Sequence, residues 1–419
     1  MDLQPKDILK TFQMRRIMLP IIIGLGVTAA LIISNFSKPI FIKSDPGQGA
    51  YSWTDNNKDT YQDASEFTLA ADGKGDYIKM TYMETIKSIN WTWYSTFWLL
   101  LTILSMFIRD FFYMIRIRVL VENQLNWSSA FSVIMLWEFA SAVMPALLGG
   151  GFVFAIFILN REKVNMGKSI TAVMLTSFLD GIFFALVAPI VYWMAGKDNL
   201  FSAVSADTIH SLTYGKSLYY FFWLVYFCVV AYKLLIAYAL FVNPRSVKRL
   251  LVKIFSLPFL KRWRYSALET GNQLIIASDE LKSKHFWYWF NSFGATFITW
   301  TARYTIVNCI ISAFHDVNVS NLISATHQVV PVEHFIVYAR QVVMGIIMLA
   351  SPTPGGSGVA ELIFNNFLGE FIPAGLASTL GFVWRLVSYY PYIILGVIIL
   401  PRWMRKVFAK HETEPATKI

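Results

Sequence analysis

Cysteine is almost absent from this chain: only Cys228 and Cys309 occur in 419 residues, both inside apolar stretches. With no CxxC and no metal-ligand spacing, they exclude a disulfide framework and a cysteine-held metal. The six histidines form no HExxH pair, which removes the zinc-hydrolase pattern. Gly167-Lys168-Ser169 and Gly215-Lys216-Ser217 imitate the end of a phosphate loop. Glu162 and His210, however, stand where that loop needs its first glycine, so ATP-driven work within this chain has no support. Gly356-Ser357-Gly358 lacks the spacing of a nucleophile elbow. No cofactor and no metal is therefore expected. Charge is scarce too: 15% of residues are charged against 56% apolar and 16% aromatic, and mean hydropathy is +0.49. A soluble chain cannot carry that composition.

What is present instead is a series of long apolar runs, each able to cross a ~30 Å hydrocarbon core as a helix, without the alternation of a transmembrane β-barrel. The sequence predicts an all-α integral membrane protein. Its 36 basic residues exceed its 26 acidic ones, but the excess lies in short loops beside apolar segments. That places the positive charge in topology, not in nucleic-acid binding.

Residues 1–35 read as a cytoplasmic N-terminus ending in Arg15 and Arg16 and a first span at 17–33, with no A-x-A cleavage site after it. Residues 36–90, with 8 acidic and 6 basic side chains, form a polar insert placed outside. Within it, 67–82 alternates around Asp72-Gly73, which suggests a small hairpin. Further spans fall at 91–115, 169–195, 218–242, 286–312 and 374–400, followed by a basic cytoplasmic tail, 401–419. Two apolar stretches, about 131–158 and 335–368, carry proline and glycine breaks and decide the topology. If both crossed fully, loop 243–284, with nine Lys/Arg against three acids, would lie outside. If each dips in and returns, that loop, 116–130 and 161–168 are all cytoplasmic, as the positive-inside rule requires. The two dips then enter from opposite faces, the signature of an inverted repeat of re-entrant hairpins.

The breaks resemble each other: Met144-Pro145-Ala146-Leu147-Leu148-Gly149-Gly150-Gly151 and Ser351-Pro352-Thr353-Pro354-Gly355-Gly356-Ser357-Gly358 each place proline before a glycine cluster. Non-helical backbone at membrane depth survives only where protein buries it or water reaches it, so paired breaks point to a transport site; close helix packing at the glycines is the alternative. Charges inside apolar segments add to this: Glu138, Asp180, Lys233, Arg303, Arg340, Glu361 and Arg385, with Arg109-Asp110 near a span's inner end. Each costs ~3 kcal/mol at mid-depth if it faces lipid, so they pair or line a wet path. Glu361 opens a half-helix, where the helix dipole favours a carboxylate that could meet an ammonium or a sugar hydroxyl. Arg340 and Arg385 suit a lipid phosphate, or Glu361 or Asp180.

On Pro145, Gly149-Gly150, the short basic loop after them, and above all Pro352-Thr353-Pro354-Gly355-Gly356-Ser357-Gly358-Val359-Ala360-Glu361, the chain resembles the flippase-like transmembrane domain of bacterial lysylphosphatidylglycerol synthases. The likeness extends to Arg116 and Arg118 ahead of the first break and to Trp384-Arg385, covering about 90–400. It implies an inverted-repeat domain with two re-entrant hairpins that moves lipids between leaflets, aminoacylated phospholipid in the best-known members. After Leu400 only 19 residues remain, so a stand-alone member without the soluble aminoacyl-transfer domain is expected, and most of 36–90 lies outside the family pattern.

The resulting expectation is a multi-pass lipid transporter of the bacterial cytoplasmic membrane with both termini inside. Its pathway would use Glu361, Arg385, Arg340, Asp180, Glu138, Arg116, Arg303, Gly355, Gly356, Gly149 and Gly150. The partners are membrane lipids, an anionic phospholipid or a polyprenyl-phosphate lipid, and the oligomeric state, a homo-oligomer included, is open. The alternatives are a transferase using Glu361 or Asp180 as base on a lipid-linked donor, and a scaffold built around the insert. In loop 243–264, Val247, Leu250, Leu251, Ile254 and Phe255 take one helical face and Arg245, Lys248, Arg249 and Lys253 the other, a pattern that lies flat on a membrane or simply sets topology.

Overall fold

The computed structural model describes residues 39–44, 47–54, 66–71, 73–81, 91–144, 151–201, 209–257, 264–314, 331–351, 358–372 and 376–413, plus isolated positions including Gly355 and Gly356. The expected first span at 17–33, apart from Ile33, and, in the breaks, Pro145, Gly149, Gly150, Pro352 and Pro354 lie outside the described residues.

The chain is an all-α polytopic membrane protein with one small sheet in the insert. Strands β1 (Ile40–Lys43), β2 (Tyr51–Trp53), β3 (Phe67–Leu69) and β4 (Tyr77–Met80) order as β1-β4-β2-β3, all pairs antiparallel. The hairpin expected at 67–82 does not form, because β2 lies between β3 and β4. Phe67 pairs with Trp53, whose indole N–H donates to Glu66 Oε2 at 3.1 Å. The lead-in to β4 is occupied by Gly49 and Gly75, which exchange backbone bonds of 2.7 and 2.6 Å. These tertiary pairings outcompete the local turn.

Helix α1 (Trp93–Leu120) starts at Thr92, whose hydroxyl accepts from Ser95 N–H at 3.2 Å. Its 28 residues reach ~42 Å, ample for a span. Next come α2 (Trp127–Val143), α3 (Phe152–Arg161), α4 (Met166–Phe201), α5 (Ile209–Phe241), α6 (Pro244–Ile254) and α7 (Arg264–Leu281). The remainder is α8 (Phe286–Ala313), α9 (Pro331–Met348), α10 (Val359–Leu368), α11 (Ala377–Ser388) and α12 (Tyr390–Thr413). Among the described residues, four stretches are long and apolar enough to cross a membrane: Trp93–Leu120, Met166–Phe201, Leu218–Phe241 and Thr379–Lys406. These match the expected spans at 91–115, 169–195, 218–242 and 374–400. Helix α4 is the most buried, and its regular course is interrupted at Gly196 (φ +78°), one residue past the expected end of its span. Helix α8, at the expected span 286–312, runs antiparallel to α1: Tyr288 hydroxyl donates to Leu120 O, and Arg116 reaches Thr296.

The two apolar stretches whose status decides the topology are both broken, and in the same way. Each has a helix of 17 or 18 residues, α2 or α9, then a break, then a helix of ten residues, α3 or α10. Both ten-residue helices begin at a glycine with positive φ, Gly151 at +82° and Gly358 at +85°. Glycine reaches that region with little steric cost, so the chain turns sharply there and restarts. Ten residues span only ~15 Å, half the hydrocarbon thickness. The amphipathic pattern after 243 forms α6, capped by Asn243 accepting from Ser246 N–H at 3.0 Å, with Val247 buried.

Candidate functional site: ion pairs between two broken helices

A guanidinium cannot be neutralised by losing its proton, so each buried arginine must find carboxylates or carbonyls. Four of the arginines expected to matter do so. Arg116 on α1 reaches Asp180 Oδ1 on α4 at 2.5 Å and Thr296 Oγ1 on α8 at 3.2 Å, and Trp300 N–H adds a 2.9 Å bond to the same carboxylate oxygen. Two turns earlier on α1, Arg109 reaches Glu138 Oε2 on α2 at 2.6 Å and Asp110 Oδ1 at 2.9 Å. Tyr392 on α12 closes this cluster, donating to both Asp110 oxygens at 2.7 and 2.9 Å and lying against Arg109.

The second break has its own pair. Glu361 Oε2 accepts the Gly358 N–H at 2.7 Å, a capping contact that starts α10, while Oε1 accepts Arg385 Nε at 2.9 Å. Both terminal nitrogens of Arg385 donate to Gly355 O at 3.1 Å, so one guanidinium holds the turn and its capping acid together. Gly355 and Gly356 both have positive φ, +56° and +69°. Arg340 on α9 binds Asn199 O at 2.7 Å, Phe367 O at 2.6 Å and Glu370 Oε1 at 2.6 Å. Of the two carboxylates considered for Arg385 and Arg340 in sequence, Glu361 serves Arg385, whereas Arg340 takes Glu370.

The pairs are lopsided in exposure. The guanidinium side chains of Arg109, Arg116 and Arg385 are 0–5% exposed, whereas their partners Asp110, Glu138, Asp180 and Glu361 are 18–25% exposed. In each pair the arginine is the more deeply buried member and the carboxylate stays partly accessible. Lys233 is different: it is held by Ser177 O at 2.7 Å and Ser177 Oγ at 2.9 Å and reads as a structural lysine.

Tyr389, which sequence reasoning did not select, joins the two breaks. Its hydroxyl donates to Ala142 O at the end of α2, at 3.1 Å, and its ring lies 4.1 Å from Arg385. The same ring fills the space that a Cβ on Gly355 would occupy. The signal was the helical spacing i, i+4, i+7 of Arg385, Tyr389 and Tyr392, which puts one charge and two hydroxyls on one side of the last span. The roles of Trp300, Thr296 and Glu370 had no sequence signal, since their partners lie on distant segments.

The start of α2 and the end of α3 lie together. Ser129 hydroxyl, in the first turn of α2, donates to Glu162 Oε2, just past α3, at 2.6 Å, and Trp403 N–H binds the other oxygen of Glu162 at 2.7 Å. Beside them Glu122 binds Lys168 at 2.5 Å and also Lys284, tying loops 116–130, 161–168 and the end of 243–284 into one cluster. The hydrogen bonds from Lys168 and Lys284 hold the Glu122 carboxyl below its ordinary value. At the far end of α4, Arg340 links α9 to Asn199 and to the end of α10, while His334 meets Asn308 near the end of α8 at 3.0 Å.

The family described as the lysylphosphatidylglycerol synthase TM region matches residues 81–396. The chain belongs to that family. A UPF0104 membrane protein of Archaeoglobus fulgidus is 23% identical to it over 313 residues, covering 72% of this chain and 85% of that protein. No solved structure matches it. As a family member the protein is multi-pass in the membrane, and the match takes in both breaks and the four ion-paired arginines while leaving most of the sheet-bearing insert outside.

Proposed function

We propose that this family member is a lipid flippase. In this reading it moves the polar headgroup of a phospholipid between leaflets, without covalent change, along a groove between two re-entrant hairpins, α2–α3 and α9–α10, while the acyl tails stay in the bilayer. It sits in the cytoplasmic membrane with both termini inside. The observation that carries the reading is the pairing of the breaks: two half-length helices, each restarted at a positive-φ glycine, with the two ends of the first stretch gathered at Glu162 and the end of α10 joined to the middle of α9 through Arg340 near Asn199, at opposite ends of α4. A stretch whose two ends share one side dips and returns, and opposite sides make the pair inverted. Partly accessible carboxylates on buried arginines give a headgroup a polar alternative to crossing hydrocarbon, where each charge costs ~2.5–3.5 kcal/mol.

The test is leaflet exchange in proteoliposomes holding the full chain, with a panel of acyl-labelled phospholipids and a polyprenyl phosphate. Exchange of at least one lipid above protein-free vesicles is expected, and none for any lipid refutes the reading. Independently, Lys163→Cys should react with an impermeant maleimide only from the cytoplasmic side. Reaction from outside overturns the hairpin topology.

A further inference from the structure

Five arginines lie inside the apolar helices at the site, and Arg303 differs from the other four. Arg109, Arg116, Arg340 and Arg385 each have a carboxylate oxygen within 2.9 Å. Arg303, partly buried on α8, makes no ion pair or hydrogen bond among the described residues; its contact is the face of Trp300, 5.4 Å from the ring centroid. It continues a stripe, Thr296, Trp300 and Arg303 at i, i+4 and i+7, whose first two members bind the Arg116–Asp180 pair. In the antiparallel register of α1 and α8, set by Tyr288 against Leu120 and Thr296 against Arg116, Arg303 falls level with Arg109 and so with its partners Asp110 and Glu138, yet it pairs with neither.

The charges around this gap do not balance locally. Arg109 contributes one positive charge against the two negative charges of Asp110 and Glu138. Arg303, at the same level on α8, brings the sum to zero without pairing with either carboxylate. Glu138 Oε2 is occupied by Arg109, whereas Oε1 has no hydrogen-bond partner among the described residues, and the side chain is 23% exposed. Stacking on Trp300 leaves the edge of the Arg303 guanidinium, where its paired N–H groups lie, able to fork onto a phosphate. Arg303 and Glu138 Oε1 thus belong to the same level of the α1–α8 pair, each without a hydrogen-bond partner among the described residues.

We propose that Arg303 and Glu138, with Asp110 beside them, form the headgroup slot, and that it takes a zwitterionic phospholipid bearing a primary ammonium. The phosphodiester binds the Arg303 guanidinium, and the ammonium donates to Glu138 Oε1 and the Asp110 carboxylate. This rests on the flippase reading and names its substrate class. A headgroup carrying phosphate alone leaves the cluster one negative charge in excess. A quaternary ammonium neutralises it but has no N–H to donate.

The experiment separates the slot from the transport reading by measuring binding and exchange side by side. Purified full-length protein in micelles is offered equimolar phosphatidylethanolamine, phosphatidylglycerol and phosphatidylcholine with identical acyl chains, and retained lipid is counted by native mass spectrometry. Wild type should retain phosphatidylethanolamine about tenfold over the other two, the scale of one charge-assisted hydrogen bond. Arg303→Gln should reduce that retention about tenfold with the thermal midpoint unchanged, because no ion pair is broken, and Arg303→Lys should recover part of it. Equal retention of the three lipids by wild type, or undiminished retention in Arg303→Gln, overturns the proposal. Should Arg303→Gln fail to fold, the three-lipid comparison on wild type decides alone. Selective retention without exchange removes the flippase reading and leaves the slot; exchange without selectivity does the reverse.

Discussion

Replacing Glu361 by glutamine tests the second break most directly. The carboxylate uses both oxygens at once, Oε1 for Arg385 and Oε2 for the Gly358 N–H that starts α10. Glutamine has nearly the same volume but one acceptor oxygen, so it keeps one of these bonds and turns an N–H₂ donor toward the other donor. Arg385 retains Gly355 O but loses the opposite charge that compensates its burial. Removing one partner of a buried ion pair costs about 3–5 kcal/mol, and losing the capping contact adds about 1 kcal/mol. Glu361→Gln is thus expected to insert with the other spans intact, to unfold earlier in denaturant titrations in mixed micelles, and to lose leaflet exchange. Arg385→Gln should cost a similar amount. The double variant, with no buried charge left, should cost less than the sum by about 2–3 kcal/mol. Additive losses within about 0.5 kcal/mol, or exchange at the wild-type rate in Glu361→Gln, would refute the argument that this pair builds the turn of the pathway.

The two glycines of the turn should respond unequally to alanine, because both have positive φ but different neighbours. Gly355→Ala drives a Cβ into the Tyr389 ring, whereas Gly356→Ala meets only Met348 Cε at 3.1 Å, which can move. Both should lose about 1–2 kcal/mol to backbone strain, and Gly355→Ala should lose more exchange activity in the proteoliposome assay. Tyr389→Phe keeps the ring on Arg385 and removes the bond to Ala142 O, one link between the breaks. Exchange should rise up to about fivefold if that bond, worth ~1 kcal/mol, restrains the two breaks from parting, and an unchanged rate would refute that restraint. Glu122, held below its ordinary value of 4.5 by Lys168 and Lys284, contributes stability that is fully present above that value and is lost as pH falls through its lowered folded value. Thermal midpoints measured from pH 6 down to about pH 3 should therefore drop in wild type and drop less in Glu122→Gln.

The sequence by itself determined the class, the approximate positions of four spans and the two broken stretches. Apolar run length against bilayer thickness, and proline with glycine where a helix must stop, are local quantities that need no partner. Residues 91–115, 169–195, 218–242 and 374–400 could be read that way, as could the breaks ahead of Gly151 and Gly358. The insert's strand order was not legible, because β3 chose β2 over its sequence neighbour β4 through Trp53, Glu66 and the Gly49–Gly75 contact. Nor was the assignment of charges. The cost of buried charge showed that Arg109, Arg340 and Arg385 needed partners or a wet path, and the family resemblance singled out Arg116, but Arg116 found Asp180, 64 residues away, and Arg340 found Glu370 on the segment after α10. An ion pair is decided by a few ångströms between segments whose sequence separation says nothing about distance. For the same reason only the tertiary structure revealed that Tyr389 spans the two breaks and that Arg303, alone among the five, was left without a carboxylate among the described residues.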